Sequence, residues 1–470
     1  MLRLVIALFL LTLCNACAIS DRPYRQLALN QGLRHDGWII GIEQARRKAI
    51  DGPKIGQHDP VHYRSERLPW IDAEIKELRK KPGYARTDFD EQRIAEQDSV
   101  LLRNKIFKKY ANDKKIPIVT QVYEAFRPQV IDTDRYVSVD LFNAHDRDGS
   151  GVIGKTRFRY DESFTALELF RRRFDVQVRD GKHTHVVLLA LGWHVDQVEA
   201  VHIYNLLIKN MKEHSQGEFR PLVVGLTWPS AWLQGLIQPL DLLGHVFSYF
   251  DKSQDADAIG STIAAYLLHN ILLTDTNPLP VVAIGHSMGA RMLSRAYFSG
   301  RNLAANQSQR KLDLLICLQG AFSANRFLES DPDEGHPYSD FAAMRAKIVL
   351  TSSSFDLANA AARLLTTFPN VGGDYGLNVA LDEPKTFRII DWPETKNLNS
   401  LPTSDVVFPP GEKRILMINA EKIVKGGRGG LHGKKVAPHN DYVDTEMGQL
   451  LWALINCACD KKSGQPTVHE

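Results

Sequence analysis

Cysteine is scarce in this chain, with five among 470 residues. Cys14 and Cys17 fall within the first twenty positions, Cys317 sits in an apolar run, and Cys457 and Cys459 form a C-x-C near the end. Disulfides between such close neighbours are strained, and a structural zinc site wants four ligands. A disulfide framework and a metal centre are therefore not expected. Charge of one sign is lacking too: 58 Lys and Arg stand against 55 Asp and Glu, a formal net charge of +3. With no basic block, nothing points to nucleic acid or another polyanion as a partner. There is no internal repeat and no low-complexity segment. What remains is an ordinary globular composition, 44% hydrophobic and 24% charged, with ample material for a large core.

The N-terminus reads differently. Arg3 precedes an apolar run from Leu4 to Leu13, shorter than the roughly 20 residues that cross a bilayer and suited to a secretory signal over residues 1–18. Two processing routes fit. Ala16-Cys17-Ala18 has the small residues of ordinary cleavage, while Leu13-Cys14-Asn15-Ala16-Cys17 resembles a bacterial lipobox that would lipidate Cys17, although Cys14 stands where leucine is usual. An uncleaved anchor helix is the third reading. Export to the bacterial cell envelope or periplasm is expected, with a membrane anchor if Cys17 is lipidated.

Residues 19–115 are charged and helix-prone. Ile71, Ile75 and Leu78 recur at helical spacing, and Ile94, Leu101 and Leu102 follow an acidic start. A helical N-terminal extension is predicted here. Asp146, Asp148, Ser150 and Gly151 imitate the start of a calcium loop, but the twelfth position, where a bidentate glutamate belongs, is Arg157; a polar turn is the better reading.

From residue 184 the pattern changes. "HVVLLALGW", "PLVVGLTW", "PVVAIGHS", "LDLLICLQG", "AKIVLTSSS" and "KRILMINA" are short apolar runs bounded by turn residues, as expected for strands buried on both faces of a parallel sheet. Helical stretches separate them. The prediction is an α/β domain over 116–460, with a mainly parallel sheet and helices on both faces, and a flexible tail at 461–470.

One strand in this series ends in Gly285-His286-Ser287-Met288-Gly289 and runs straight into a helical pattern. A serine on a sharp strand-to-helix turn is lifted clear of the sheet, and the crowded turn demands small residues two before and two after it; Gly285 and Gly289 meet that demand. The following helix aims its N-terminus at the site, where free N–H groups favour developing negative charge. Ser287 is thus a candidate nucleophile. It needs a base oriented by an acid. Asp356, just past the apolar run Ile348–Leu350, is the preferred acid, with helix capping as its alternative role and Asp391 in reserve. His439, directly before the terminal helix, is preferred as base over His432. His286, beside the serine, is an unlikely base because adjacent side chains on such a turn diverge. The oxyanion hole would use the N–H of Met288 and that of Trp193, in the loop after Val186–Ala190.

At these residues the chain resembles the α/β-hydrolase superfamily, and within it a bacterial and fungal branch with a His-Gly-Trp strand end, a Gly-x-Ser-x-Gly elbow, a Ser-x-x-Asp acid loop and a late His-x-Asp. The resemblance covers about residues 180–456 and implies an α/β-hydrolase fold and a Ser287, Asp356, His439 triad, with no cofactor. Leu191 stands where the branch has the histidine that braces the oxyanion loop. The expected function is a serine hydrolase of the esterase or lipase type, cleaving carboxylic esters through an acyl-enzyme. The apolar stretch from Trp228 to Phe250 would wall an acyl pocket or pack on the core, with Leu236 and Leu240 as its test positions. The competing expectation is a catalytically inactive envelope lipoprotein that keeps the fold as a binding module.

Overall fold

The structure is a computed structural model that describes residues 32–46, 50–51, 80, 115–127, 136–144, 158–192, 195–230, 252–303, 311–328, 338, 346–356, 359, 370–392, 404–425, 439 and 442–459. The signal segment with Cys17, the calcium-like loop, Trp193, residues 231–251 with Leu236 and Leu240, His432 and the C-terminal tail lie outside the described residues.

The apolar runs form the predicted strands. In chain order these are β6 (His185–Ala190), β7 (Pro221–Thr227), β8 (Val281–His286), β9 (Leu314–Leu318), β10 (Lys347–Ser352) and β12 (Ile415–Asn419), with β11 (Phe387–Asp391) between the last two. They join β1 (Gly37–Arg46), β3 (Lys115–Phe126) and β4 (Val137–Asn143) in one ten-stranded sheet of order β11-β12-β10-β9-β8-β6-β7-β1-β3-β4. All pairs from β11 to β1 are parallel; β3 runs antiparallel to β1 and to β4. A two-residue pair, β2 (Ile50–Asp51) with β5 (Phe158–Arg159), stands apart. The mainly parallel α/β architecture read from the sequence is the observed one.

Strand periodicity explains why these runs are apolar throughout. Along β6, Val186, Leu188 and Ala190 face one core, while Val187 and Leu189 face the other. The first core is covered by α1 (Tyr160–Gln177), α3 (252–272), α4 (Met288–Leu303) and α5 (Asp374–Asp382); the second by α2 (Gln197–His214), the short α6 (Ser404–Val407) and α7 (Thr445–Cys459). Two stretches of α3, Gly260–Ala264 and Leu268–Leu272, are wound wider, as π-helix. Among the described residues no helix is long and apolar enough to cross a membrane.

The N-terminal region departs from expectation. Residues 37–46, predicted to belong to a helical extension, form β1 inside the main sheet, between β7 and β3. Trp38, Ile39, Ile40 and Ile42 are buried there. The helical propensity of the surrounding charged sequence gives way to two-sided burial, which decides strand formation in a sheet interior. Lys80 is helical, and the remainder of the two expected amphipathic helices lies outside the described residues. Cys317 is buried on β9, and Cys457 and Cys459 lie on the last turn of α7.

The topology itself marks one place on the sheet. From β6 the chain crosses through α2 to β7 on one side; from β8 it crosses through α4 to β9 on the other side, over the opposite face. The crossovers diverge between β6 and β8, and such a switch point opens a crevice at the carboxyl ends of the strands. Ser287 immediately follows β8.

Candidate active site

Ser287 turns the chain from β8 into α4 with φ +54°. For a non-glycine residue this backbone costs on the order of 1–3 kcal/mol, and the surroundings over-determine it. Its N–H donates to Leu318 O (2.9 Å), and its carbonyl accepts from Arg291 N–H and Ala321 N–H (both 3.2 Å). The flanking glycines are needed because nothing larger fits. A Cβ on Gly289 would lie 2.1 Å from Ala190 O, and one on Gly285 would lie 2.5 Å from Ala290 Cα. A third glycine joins them: a Cβ on Gly192, after β6, would meet Ser287 Cβ at 2.6 Å. The end of β6 and the elbow are thus pressed together, backbone to backbone.

Three predicted side chains converge here. His439 Nε2 lies 2.9 Å from Ser287 Oγ, and His439 Nδ1 lies 2.9 Å and 3.0 Å from the two carboxylate oxygens of Asp356. A carboxylate only accepts, so Nδ1 carries the ring proton and Nε2 offers its lone pair to the serine hydroxyl. The alternative roles for Asp356 coexist: Oδ1 accepts from the N–H of Asn359 (3.1 Å) as a helix cap would, while Oδ2 accepts from the Asn359 side chain (2.7 Å). Asn359 also donates to Gln319 O (3.2 Å). The reserve acid, Asp391, sits elsewhere, at the end of β11, accepting from Asn419 Nδ2. Ser287 and Asp356 are 4% and 1% exposed, so their polar contacts are sheltered from bulk water.

Met288 opens α4, and as the first helical residue its N–H has no carbonyl one turn back to bond within the helix. The second expected oxyanion donor, Trp193, is outside the described residues, but both flanks of its loop are anchored. Trp228 Nε1 donates to Leu191 O (3.0 Å), the Val195 N–H donates to Ser230 Oγ (3.0 Å), and that hydroxyl donates to Val195 O (2.8 Å). Leu191 is itself buried. Both anchors come from the "TWPS" segment at the end of β7. Trp228→Phe keeps an aromatic ring and removes the donor; a loss of about 1–3 kcal/mol of stability is expected, read from urea unfolding midpoints.

Two participants have no clear mark in the sequence. Asn359 reads only as a helix residue after Asp356. His286 reads as an unlikely base because neighbouring side chains on an elbow diverge, and they do: its Nε2 donates 2.8 Å to the main-chain carbonyl of His439, and its ring stacks on Tyr442 with centroids 3.7 Å apart. Burial, helped by the nearby His439, holds its pKa well below the ordinary value. Burial likewise lowers His183 and His269. These groups take up a proton less readily in the folded chain than once unfolded, where a histidine titrates near pH 6.5. The folded pKa values being depressed, their contribution is intact above about 6.5 and is lost as pH falls below it. The urea midpoint should therefore be lower at pH 5.5 than at pH 7.5, and His286→Phe should flatten part of that slope.

Behind the elbow lies a cluster of charge. The Asp257 carboxylate on α3 accepts from Arg291 (2.6 and 3.0 Å) and Arg295 (3.3 Å) on α4, and from Arg326 (3.1 and 3.2 Å) on the turn Ala324–Phe327. These guanidinium groups hold the carboxyl far below the usual carboxylate range, against the opposing effect of burial. Arg291 also donates to Ala321 O (3.2 Å), and Ala321 is one of the residues that hold Ser287 in place.

No family model matches the chain, and no curated protein matches it. Among solved structures, the crystal structure of the gene lin2722 products from Listeria innocua aligns at 12% identity over 50% of this chain and 98% of that one, with a TM-score of 0.23.

Proposed function

We propose that the protein is a serine hydrolase of the α/β-hydrolase type that cleaves carboxylic esters through an acyl-enzyme. The observation that carries the reading is the unbroken relay from Ser287 Oγ through His439 to Asp356, with separations of 2.9 Å on either side of the imidazole. The order of these residues along the chain, serine then acid then histidine, and the strained Gly-x-Ser-x-Gly turn support it.

In this reading Ser287 Oγ attacks the ester carbonyl carbon as its proton passes to His439 Nε2. Asp356 holds the imidazole by Nδ1–H and balances the charge formed on the ring. The carbonyl oxygen becomes an oxyanion and accepts hydrogen bonds from Met288 N–H and, on the second side, from the Trp193 N–H that the sequence points to as the other donor. Collapse breaks the bond to the alkoxy oxygen, which leaves as the alcohol with the proton from His439 Nε2. Water then attacks the acyl-Ser287 carbon and yields its proton to the same nitrogen. The second collapse frees the carboxylic acid and returns the proton to Ser287 Oγ.

The kinetic test is a stopped-flow assay with p-nitrophenyl acetate. The expected result is a burst of one p-nitrophenol per chain ahead of slower steady turnover, and its loss in His439→Ala. Neither burst nor turnover would leave the inactive binding module as the better reading. Export and an anchor at Cys17 belong to the same proposal. A cleaved chain that partitions into detergent, and a Cys17→Ser variant that does not, are the expected outcomes; an unlipidated, normally cleaved wild type would point to ordinary cleavage.

A further inference from the structure

His286, directly before the nucleophile, is a titratable side chain that the relay does not use. It is 3% exposed and lies on the last position of β8. Its donor is spent on one acceptor, the main-chain carbonyl of His439, 153 residues later in the chain. A carbonyl only accepts, so Nε2 carries the proton, and Nδ1 is a bare lone pair, buried with no hydrogen-bond partner among the described residues. Tyr442 lies nearly parallel to the ring at 3.7 Å and fixes its plane.

The placement matters because His286 and Ser287 are consecutive. A strand directs successive side chains to opposite sides, and the left-handed φ of Ser287 then redirects the chain. One residue reaches the His439 backbone while the next reaches its ring, at 2.8 and 2.9 Å respectively. The base is held at three points: Nδ1 by Asp356, Nε2 by the nucleophile, and its carbonyl by the residue before the nucleophile.

We infer that His286 is a positioning residue that fixes the His439 main chain to the end of the nucleophile strand, so that the distance between base and nucleophile is set by one dipeptide. The inference rests on the hydrolase reading above. In this arrangement the imidazole ring of His286 does no proton chemistry, and any side chain placing an N–H at the same point should serve. Neutrality suits this role. The ring centroid lies 4.8 Å from that of His439, close enough for a charge on His286 to oppose the imidazolium that forms during turnover.

Two variants separate the donor from the ring. His286→Phe keeps the stack on Tyr442 and loses the N–H. His286→Gln loses the ring and keeps an amide N–H of comparable reach. The readout is the second-order rate of Ser287 labelling by an alkyl fluorophosphonate, with kcat and KM for p-nitrophenyl butyrate beside it. His286→Phe should label about 10- to 100-fold more slowly, the scale expected of a misplaced base, with the loss in kcat and KM nearly unchanged. His286→Gln should stay within about threefold of wild type. A His286→Phe chain that is folded and labels at the wild-type rate would overturn the inference while leaving the hydrolase reading intact. If His286→Phe does not fold, His286→Gln decides: near-wild-type labelling supports the donor role, and a loss as large as tenfold in a folded chain overturns it. A wild type that neither labels nor turns over would instead remove the hydrolase reading beneath it.

Discussion

Ser287→Ala should lower ester turnover about ten-thousand- to million-fold, the range seen when a nucleophile is removed from a relay that works as a unit. Activity should fall to whatever the oxyanion donors and substrate binding supply without covalent chemistry. The variant should fold normally. Alanine is smaller than serine, the hydroxyl's partner is the imidazole of His439, and the contacts that hold the strained turn are made by the backbone of residue 287, not its side chain. Removing Oγ also relieves none of the need for small neighbours, since a Cβ added at Gly192 would still meet Ser287 Cβ at 2.6 Å. A circular dichroism melt beside the kinetic assay separates the two effects. Turnover within tenfold of wild type in the purified variant would place the nucleophile elsewhere.

The largest expected effect on stability comes from a different residue. Asp257→Asn should cost about 3–5 kcal/mol, the usual consequence of removing one partner from a buried ionic group. The carboxylate is 24% exposed, but the side chains of Arg291, Arg295 and Arg326 around it are only 6%, 11% and 0% exposed. Among the described residues the cluster sets one negative charge against three positive ones even when intact. Some compensation is visible: Arg326 donates to Tyr338 Oη (3.0 Å), and the Arg295 guanidinium lies 5.1 Å from the centre of the Tyr338 ring. An asparagine would keep the shape and remove the negative charge that now accepts from all three guanidinium groups. The charge state of Asp257 also links stability to acid: a folded pKa below the unfolded one means that its contribution, full above about pH 4, is lost as pH falls further. Because Arg291 reaches Ala321, which in turn holds Ser287, the variant should also slow turnover. Urea unfolding at neutral pH measures the main effect. A shift under 1 kcal/mol would show that the arginines are solvated well enough to dispense with their partner.

Both residues sit in one arrangement, yet they are unequally legible in the sequence. Ser287 can be found because its turn imposes glycines at fixed offsets, and those glycines are visible in one short string. Asp356 and His439 follow from chain order and from their places after β10 and before α7. The relay between them, at hydrogen-bond distance, is what the strand order brings together. Asp257 carries no such mark. Arg291 and Arg295 stand at i, i+4 and share a helix face, but their acceptor is on another helix and Arg326 on a separate turn. The role of His286 is hidden for a related reason: its partner is a backbone carbonyl, and carbonyls have no sequence signature. Strand β1 escapes because Trp38, Ile39, Ile40 and Ile42 form a run without alternation inside a charged, helix-prone stretch, and only insertion between β7 and β3 explains it. Strand β3 does carry a signal, since Ile116, Ile118, Thr120 and Val122 alternate along one face, all of them buried.

The mass of the chain after incubation with an alkyl fluorophosphonate, followed by peptide mapping of the adduct, bears on the nucleophile without any assumption about the natural substrate. One phosphonyl group per chain is expected, on Ser287, formed slowly or not at all in His439→Ala. No adduct, or an adduct on another residue that persists in Ser287→Ala, would contradict the assignment of Ser287, His439 and Asp356 as a working relay.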